Sequence, residues 1–484
     1  MGGDLRAHAS DAGHMKLNHE LRHALLMTSG RASGLPTPAG VIVRRVRRIA
    51  IIALLAAALA SESPAYATTA SVSRISGPSP ISSCNPANDI TGMRGYEHQA
   101  SLEIDPKDPR HLASPWTQDF DDATVVAFSR NAGASWQRVP VPGQMPGCGG
   151  DPEDPTFDSA VNPRASIGPD GTVYVISNVY SSNTRAQAVR INSTRDDGVS
   201  WIGSTTLEAA PSLDWVWVTA DPKTAGTATA LWGHRVADAT SVTSAWEYVA
   251  RTTDFGAHWM LADKDTHPVP PAGKTYQFGQ LVALPDRSLV DVFAECDTAD
   301  QCKDSNAMTV HAARSSDGSV WSAPGDALIV GEWFDVALTP GGSLLVASVR
   351  DTTIELVRSG DLGASWQPAV TVVAGGAYAD ATVAALSDGT VGVLYYERVA
   401  QNDTVVRLTT SRDGTSWTTR DLAGPFDESA APALGKGMGE WLGLVPVGKA
   451  FAAVFPMAAT RTADPNQQVQ SGATDVFLAT VPAR

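Results

Sequence analysis

The pattern Ser/Thr-x-Asp-x-Gly-x-x-Trp recurs six times along this 484-residue chain, and no other feature restricts its fold as much. The copies run Ser129–Trp136, Thr194–Trp201, Thr252–Trp259, Ser315–Trp321, Ser359–Trp366 and Ser411–Trp417; the fourth and sixth are one residue shorter. Their acidic or amide positions are Asn131, Asp196, Asp254, Asp317, Asp361 and Asp413, spaced 65, 58, 63, 44 and 52 residues apart. Each copy reads as a hairpin turn. Asp or Asn accepts hydrogen bonds from backbone N–H groups of its own turn. Gly takes a positive φ that a side chain resists. Trp folds back as a large apolar plug. The repeat length fits four short strands with loop insertions.

Composition agrees. Gly (42), Pro (31) and Trp (13) are plentiful while charge is low, which suits many short strands and turns rather than long helices. In the fifth unit the strands are expected at Phe334–Leu338, Ser343–Val349, Thr352–Arg358 and Trp366–Val372, with turn signals such as Pro340-Gly-Gly342 between the first two. After the sixth unit come Trp441–Val447, Lys449–Phe455 and Thr474–Val481, three strands without the motif. They form a seventh unit completed by an N-terminal strand within Thr68–Ile75, or an edge extension of six units. Closing a ring with strands from both ends of the chain hides the sheet edges, which favours seven.

The N-terminal segment differs from the rest. Residues 1–67 hold 8 Lys and Arg against 4 Asp and Glu, whereas residues 68–484 hold 28 against 47, a net charge of −19. Arg44, Arg45, Arg47 and Arg48 precede the apolar run Ile49–Ala60, and Ala65-Tyr66-Ala67 is a small-x-small cleavage site. This is the pattern of an export leader cut after Ala67, with an apolar run too short to span a bilayer. The division is therefore leader 1–67, lead-in 68–97 and repeat domain 98–484. The acidic mature chain argues against nucleic acid or an anionic membrane as partner. Four cysteines in an exported chain favour disulfides. Of three pairings, Cys296–Cys302 across an acidic loop and Cys84–Cys148 are expected. Zinc is the rival reading, with no Cys-x-x-Cys spacing to support it.

These six motifs resemble the Asp-box repeats of the sialidase-like β-propellers, which implies an all-β propeller of six or seven four-stranded blades. In such a ring the Asp-box turns lie on one face. Starts of the innermost strands and ends of the second strands share the other, where Asp119, Asp121, Asp122, Tyr180, His234, Arg235, Glu295, Arg350, Glu397 and Arg398 gather. Glu97, His98, Arg164, Asp214, Trp215, Tyr276, Glu332, Trp333, Tyr378, Glu440 and Trp441 join them from the innermost strands.

A closer resemblance to exo-sialidases covers roughly 330–425. Ala377–Glu397 resembles the segment with the nucleophilic tyrosine and a glutamate on the next strand; Gly331–Arg350 resembles the segment with its glutamate partner and a substrate-binding arginine. The resemblance implies Tyr378 as nucleophile, Glu332 as its base, Arg350 on the substrate carboxylate and Glu397 orienting an arginine. Arg164 and Arg235 are further substrate-binding candidates. By blade position the general acid is expected among Asp119, Asp121 and Asp122, with Asp122 preferred. A neutral tyrosine avoids the repulsion that a carboxylate nucleophile meets beside the anionic anomeric carbon, and arginines grip that carboxylate bidentately. The family's opening Arg-Ile-Pro motif is absent, and no third arginine motif lies between Arg350 and Tyr378. The implied function is an exported exo-α-sialidase-type hydrolase of terminal sialic acid or a related acidic sugar. The alternative is a propeller that binds glycans or proteins without chemistry. The chain is expected to be monomeric, with a glycan as its ligand and no cofactor or metal. The tract Asp151–Asp158 offers oxygen ligands for Ca²⁺ but in no regular spacing.

Overall fold

The computed structural model describes residues 71–83, 95–145, 157–181, 186–237, 242–263, 266–297, 308–428, 439, 441–458 and 474–483. They form a seven-bladed β-propeller of four-stranded antiparallel sheets. Six blades are built from consecutive strands. Their innermost strands are Glu103–Ile104, Ser159–Ile167, Leu213–Ala220, Thr275–Ala283, Glu332–Leu338 and Ala377–Ala385, for blades 1 to 6. Blade 7 takes Gly443–Val447, Ala450–Ala458 and Thr474–Pro482 from the C-terminal part and Ser71–Arg74 as its outermost strand. That strand pairs antiparallel from Ser71 opposite Thr480 to Arg74 opposite Phe477. The two-ended closure expected within Thr68–Ile75 is thus present, and it settles the blade count at seven.

All six repeated turns share one hydrogen-bond pattern. The Asp or Asn Oδ1 accepts a backbone N–H within its turn at 2.8–3.0 Å. The leading Ser or Thr hydroxyl accepts the glycine N–H at 2.7–3.0 Å. In the long form two successive residues are left-handed, as at Leu362 (φ 61°) and Gly363 (φ 85°). The shortened fourth and sixth copies drop the non-glycine member of this pair. Each tryptophan packs into an apolar cluster between its own blade and the preceding one, for example Trp201 with Val126, Phe128, Val173 and Val175. Trp366 packs with residues of blades 4 and 5. Trp321 is buried and the other five are half-buried.

In blade 5 the outermost strand is Val370–Ala374, later than the expected Trp366–Val372. Trp366 still belongs to the turn, its indole N–H bonded to the Asp326 carbonyl at 3.1 Å, and Pro368 has no N–H for the ladder.

Candidate functional site

A backbone irregularity repeats around the ring at the start of each innermost strand. Gln99 (φ 55°), Asn162 (57°), Trp215 (50°), Phe278 (64°), Trp333 (50°), Asp380 (52°) and Gly439 (95°) are all left-handed, one per blade. In blades 2 to 6 the strand register slips across this residue, the mark of a β-bulge. At Gly439 a Cβ would stand 2.5 Å from the Gln99 backbone nitrogen, so the last blade meets the first through bare backbone. Two groups of side chains assemble around these residues.

The first is a polar arc over blades 1 to 4. Gln99 Nε2 donates to Asn162 Oδ1 (2.8 Å) and its Oε1 accepts the Asn162 N–H (3.0 Å). Asn162 Nδ2 donates to Asp214 Oδ1 at 3.2 Å. Asp214 pairs with Arg235, whose Nη2 reaches Gln277 Oε1 at 2.9 Å.

The second is aromatic. Trp215 stacks on Trp333 at 5.9 Å and meets Phe278 and Trp441 edge-on at 4.9 and 4.5 Å. Trp215 belongs to blade 3, Trp333 to blade 5, and Trp441 precedes the first strand of blade 7. Residues of non-adjacent blades meet only across the axis, so this cluster occupies the central channel. Arg164 of blade 2 lies between Trp217 and Trp441, its guanidinium carbon 4.3 and 4.1 Å from the two rings. Such a sandwich favours a cation that is stripped of water on both faces.

Two carboxyls complete the channel. Asp335 Oδ2 accepts Thr382 Oγ1 (2.6 Å) and the Val383 N–H (2.9 Å), tying blade 5 to blade 6. Burial raises its pKa, against those hydrogen bonds and the charge of Arg164. Burial pushes Glu103 up to about 8, with Arg164 opposing and the Asp335 charge adding. Burial thus favours the neutral form of the Glu103 carboxyl.

The sequence-derived candidates fall in separate places. Tyr378 of blade 6 sits directly opposite Glu397, between the exposed Ala377 and Ala379. Its ring meets Tyr395 edge-on at 5.5 Å, and a Cβ on Gly376 would lie 2.7 Å from its hydroxyl. Burial and the Glu397 charge raise its pKa, and Arg407 counters them. Arg407 holds Glu397 and, through Nε at 2.8 Å, Asp421. Arg350 is directed elsewhere: its Nη2 donates to the Ile329 carbonyl at 2.8 Å and its Nε lies 3.1 Å from Glu355. Arg164, Arg235 and Arg350 thus each have their own setting, in blades 2, 3 and 5. Glu332 begins the inner strand of blade 5 opposite Val349. Arg398 pairs with Glu428. Glu295 lies 3.6 Å from both Lys274 and His311, and His234 pairs with Glu208 at 2.8 Å.

Among the three acidic candidates of blade 1, Asp119 accepts the Gly95 N–H and Gln118 Nε2, both at 2.8 Å. Asp121 is buried, takes the Tyr180 hydroxyl at 2.6 Å and stands 3.2 Å from His98 Nε2. Asp122 closes the turn by donating its N–H to the Gln118 carbonyl. Cys296 ends an inner-blade strand and is buried. Cys84, Cys148, Cys302, Glu440, the tract 151–156 and the leader fall outside the described residues. Sequence reasoning missed Gln99, Asn162, Gln277, Trp217, Glu103, Asp335 and Arg407. Only the tryptophan carried a signal, as the second member of Trp215-Val-Trp217.

No family model matches the chain, and no curated protein matches it. Among solved structures, it is similar to a Dyadobacter fermentans protein of unknown function (14% identity, 81% of this chain and 96% of that one, TM-score 0.47). It is also similar to a Trypanosoma rangeli sialidase (12%, 80% and 55%, 0.43) and a Penicillium chrysogenum α-L-arabinanase complexed with arabinobiose (13%, 67% and 94%, 0.43). The chain spans about half the length of the trypanosomal protein. Among the described residues no helix is long and apolar enough to cross a membrane.

Proposed function

We propose that this chain is an exported glycosidase-type propeller that takes a glycan at the mouth of its central channel. The observation that supports this reading is the half-exposed set Trp217, Trp333, Arg164, Asp214 and Arg235, held by an aromatic cluster and polar arc whose Trp215, Phe278, Trp441, Gln99, Asn162 and Gln277 are buried. Sugars present apolar C–H faces and hydroxyl edges, and a site for them combines aromatic surface with convergent hydrogen-bonding groups. In its narrower form the function is exo-sialidase-type hydrolysis of terminal sialic acid or a related acidic sugar. Tyr378 is then the nucleophile, Glu332 its base, Glu397 the residue that orients an arginine, and Asp122 the acid. Arg350, Arg164 and Arg235 are the candidates for the substrate carboxylate. The half-exposed Tyr378 beside Glu397 and Arg407 favours that form. The six turns are read as Asp boxes that brace the ring. Export proceeds by cleavage after Ala67, with Cys296–Cys302 and Cys84–Cys148 as disulfides.

The test is a glycan-binding array and a set of fluorogenic sialosides, run on the exported protein after non-reducing peptide mapping. Hydrolysis that falls to background in Tyr378→Phe, with array binding retained, supports the hydrolase. Binding without hydrolysis selects the non-catalytic alternative. Neither binding nor hydrolysis, in a protein whose mapping shows both disulfides, overturns the reading.

A further inference from the structure

Between blades 3 and 4, three ionisable side chains converge in the interior. Glu247 comes from the third strand of blade 3, His267 from the connection into blade 4, and Asp291 from the second strand of blade 4. They are 1%, 4% and 0% exposed. One potential ligand atom from each lies within 4.8 Å of the others. His267 Nε2 stands 2.8 Å from Asp291 Oδ2 and 3.8 Å from Glu247 Oε2. Around an ion bound at about 2.0–2.2 Å, neighbouring ligands sit roughly 3–4 Å apart; the 3.8 Å separation is in that range, and the 2.8 Å His267–Asp291 hydrogen bond needs to open only slightly to admit an ion.

Glu247 Oε2 and Asp291 Oδ1 have no hydrogen-bond partner among the described residues. A buried carboxylate oxygen left in this state costs free energy unless something positive meets it. With both carboxyls ionised, His267 supplies at most one charge to two, and the rings of Trp321 and Phe293 beside it, at 5.1 and 5.8 Å, supply none; without an ion, burial and the Asp291 charge push Glu247 toward its neutral form. The carboxylate of Glu247 is held in place from behind: the Gly279 N–H donates to Oε1 at 2.5 Å, and a Cβ at Gly279 would lie 2.4 Å from that oxygen. A glycine is needed there for the inner strand of blade 4 to approach.

We propose that Glu247, His267 and Asp291 bind one divalent transition-metal ion of the zinc class. A dication with two carboxylates and a neutral imidazole is electrically balanced, which suits a dry site. An imidazole ligand favours zinc over calcium, which takes oxygen ligands alone. The ion joins two blades, and Gly279 extends its reach to the channel, since the Gly279 carbonyl accepts the Trp215 indole N–H at 2.9 Å. The site thereby braces the strand that carries Phe278.

The test uses the full exported chain. Metal analysis after dialysis against metal-free buffer should find about one zinc per chain. Chelator-stripped protein should regain a Tm higher by several degrees on adding ZnCl₂, and not on adding CaCl₂. Glu247→Gln and Asp291→Asn, either of which suffices if the other does not fold, should lose at least ten-fold in zinc affinity. Wild-type protein without bound zinc and without a zinc-dependent Tm overturns the proposal. A response to calcium alone, or a folded variant that retains wild-type zinc affinity, does so as well.

Discussion

Glu103 and Arg164 are both half-buried, and each is held by neighbours from other blades. The guanidinium lies against two indole rings, and burial, with the Asp335 charge, pushes the Glu103 carboxyl up to about 8 against the attraction of Arg164. The unfolded glutamate titrates near 4.5. Between these values the folded state binds the proton more tightly than the unfolded state, so stability falls as pH rises. The contribution of Glu103 is fully present below about pH 4.5, declines up to about 8 and is then flat, at most about 5 kcal/mol in all for this half-buried group. The urea midpoint of the wild type is therefore expected to drop over this window more than that of Glu103→Gln, which keeps the neutral shape and cannot ionise. Equal pH profiles for the two proteins would remove Glu103 from this role. The same pair marks a limit of the sequence. Glu103 lies outside every motif, and its environment comes from blades 2 and 5, far away along the chain.

The repeated turn was legible because its chemistry is local: Ser or Thr, Asp or Asn, and Gly bond to one another within a few residues, and the tryptophan follows within eight. The bulge ring was not. Six of its seven left-handed residues are Gln, Asn, Trp, Phe, Trp and Asp, and no glycine announces them. Their conformations are imposed by the ring, through contacts such as Gln99 with Asn162 and Trp215 with Gly279. The polar arc and the aromatic cluster depend on these bulges, so the channel site was visible only as scattered candidates. Within the turn, glycine is required twice over at Gly363. Its φ is 85°, and a Cβ would stand 2.2 Å from the Ala312 Cβ of blade 4. Gly363→Ala is expected to cost about 2–4 kcal/mol, backbone strain and overpacking together. At Gly342 (φ 80°) nothing lies within 4 Å of a Cβ, so Gly342→Ala carries strain alone, about 1 kcal/mol. Chemical denaturation of the two variants separates the terms. Equal losses would show that the blade 4–5 contact is soft.

At the scale of the whole ring, the decisive contact joins residues some four hundred positions apart. Ser71–Arg74 is exposed along its length, yet it supplies the fourth strand of blade 7. What anchors it is the residues that follow. Ile75 is 2% exposed in the cluster between blades 7 and 1, Ser76 Oγ donates to Asp475 at 2.9 Å, and the Val476 N–H donates back to Ser76 Oγ at 2.9 Å. Arg74 adds an ion pair to Asp475 at 3.2 Å, half exposed and worth little. Cleavage after Ala67 would leave this strand whole, so export and closure are compatible. Ile75→Ala removes the buried anchor while keeping the strand, and is expected to cost about 2–4 kcal/mol. Deleting residues 71–76 removes the anchor and also uncovers the edge of Thr474–Pro482, a template for pairing with another chain. The deletion should therefore lower the Tm further than Ile75→Ala and, unlike it, make the protein associate at micromolar concentration in light scattering. A deletion variant that stays monomeric with an unchanged Tm would mean that three strands suffice for blade 7 and that the ring is held by its inner strands alone.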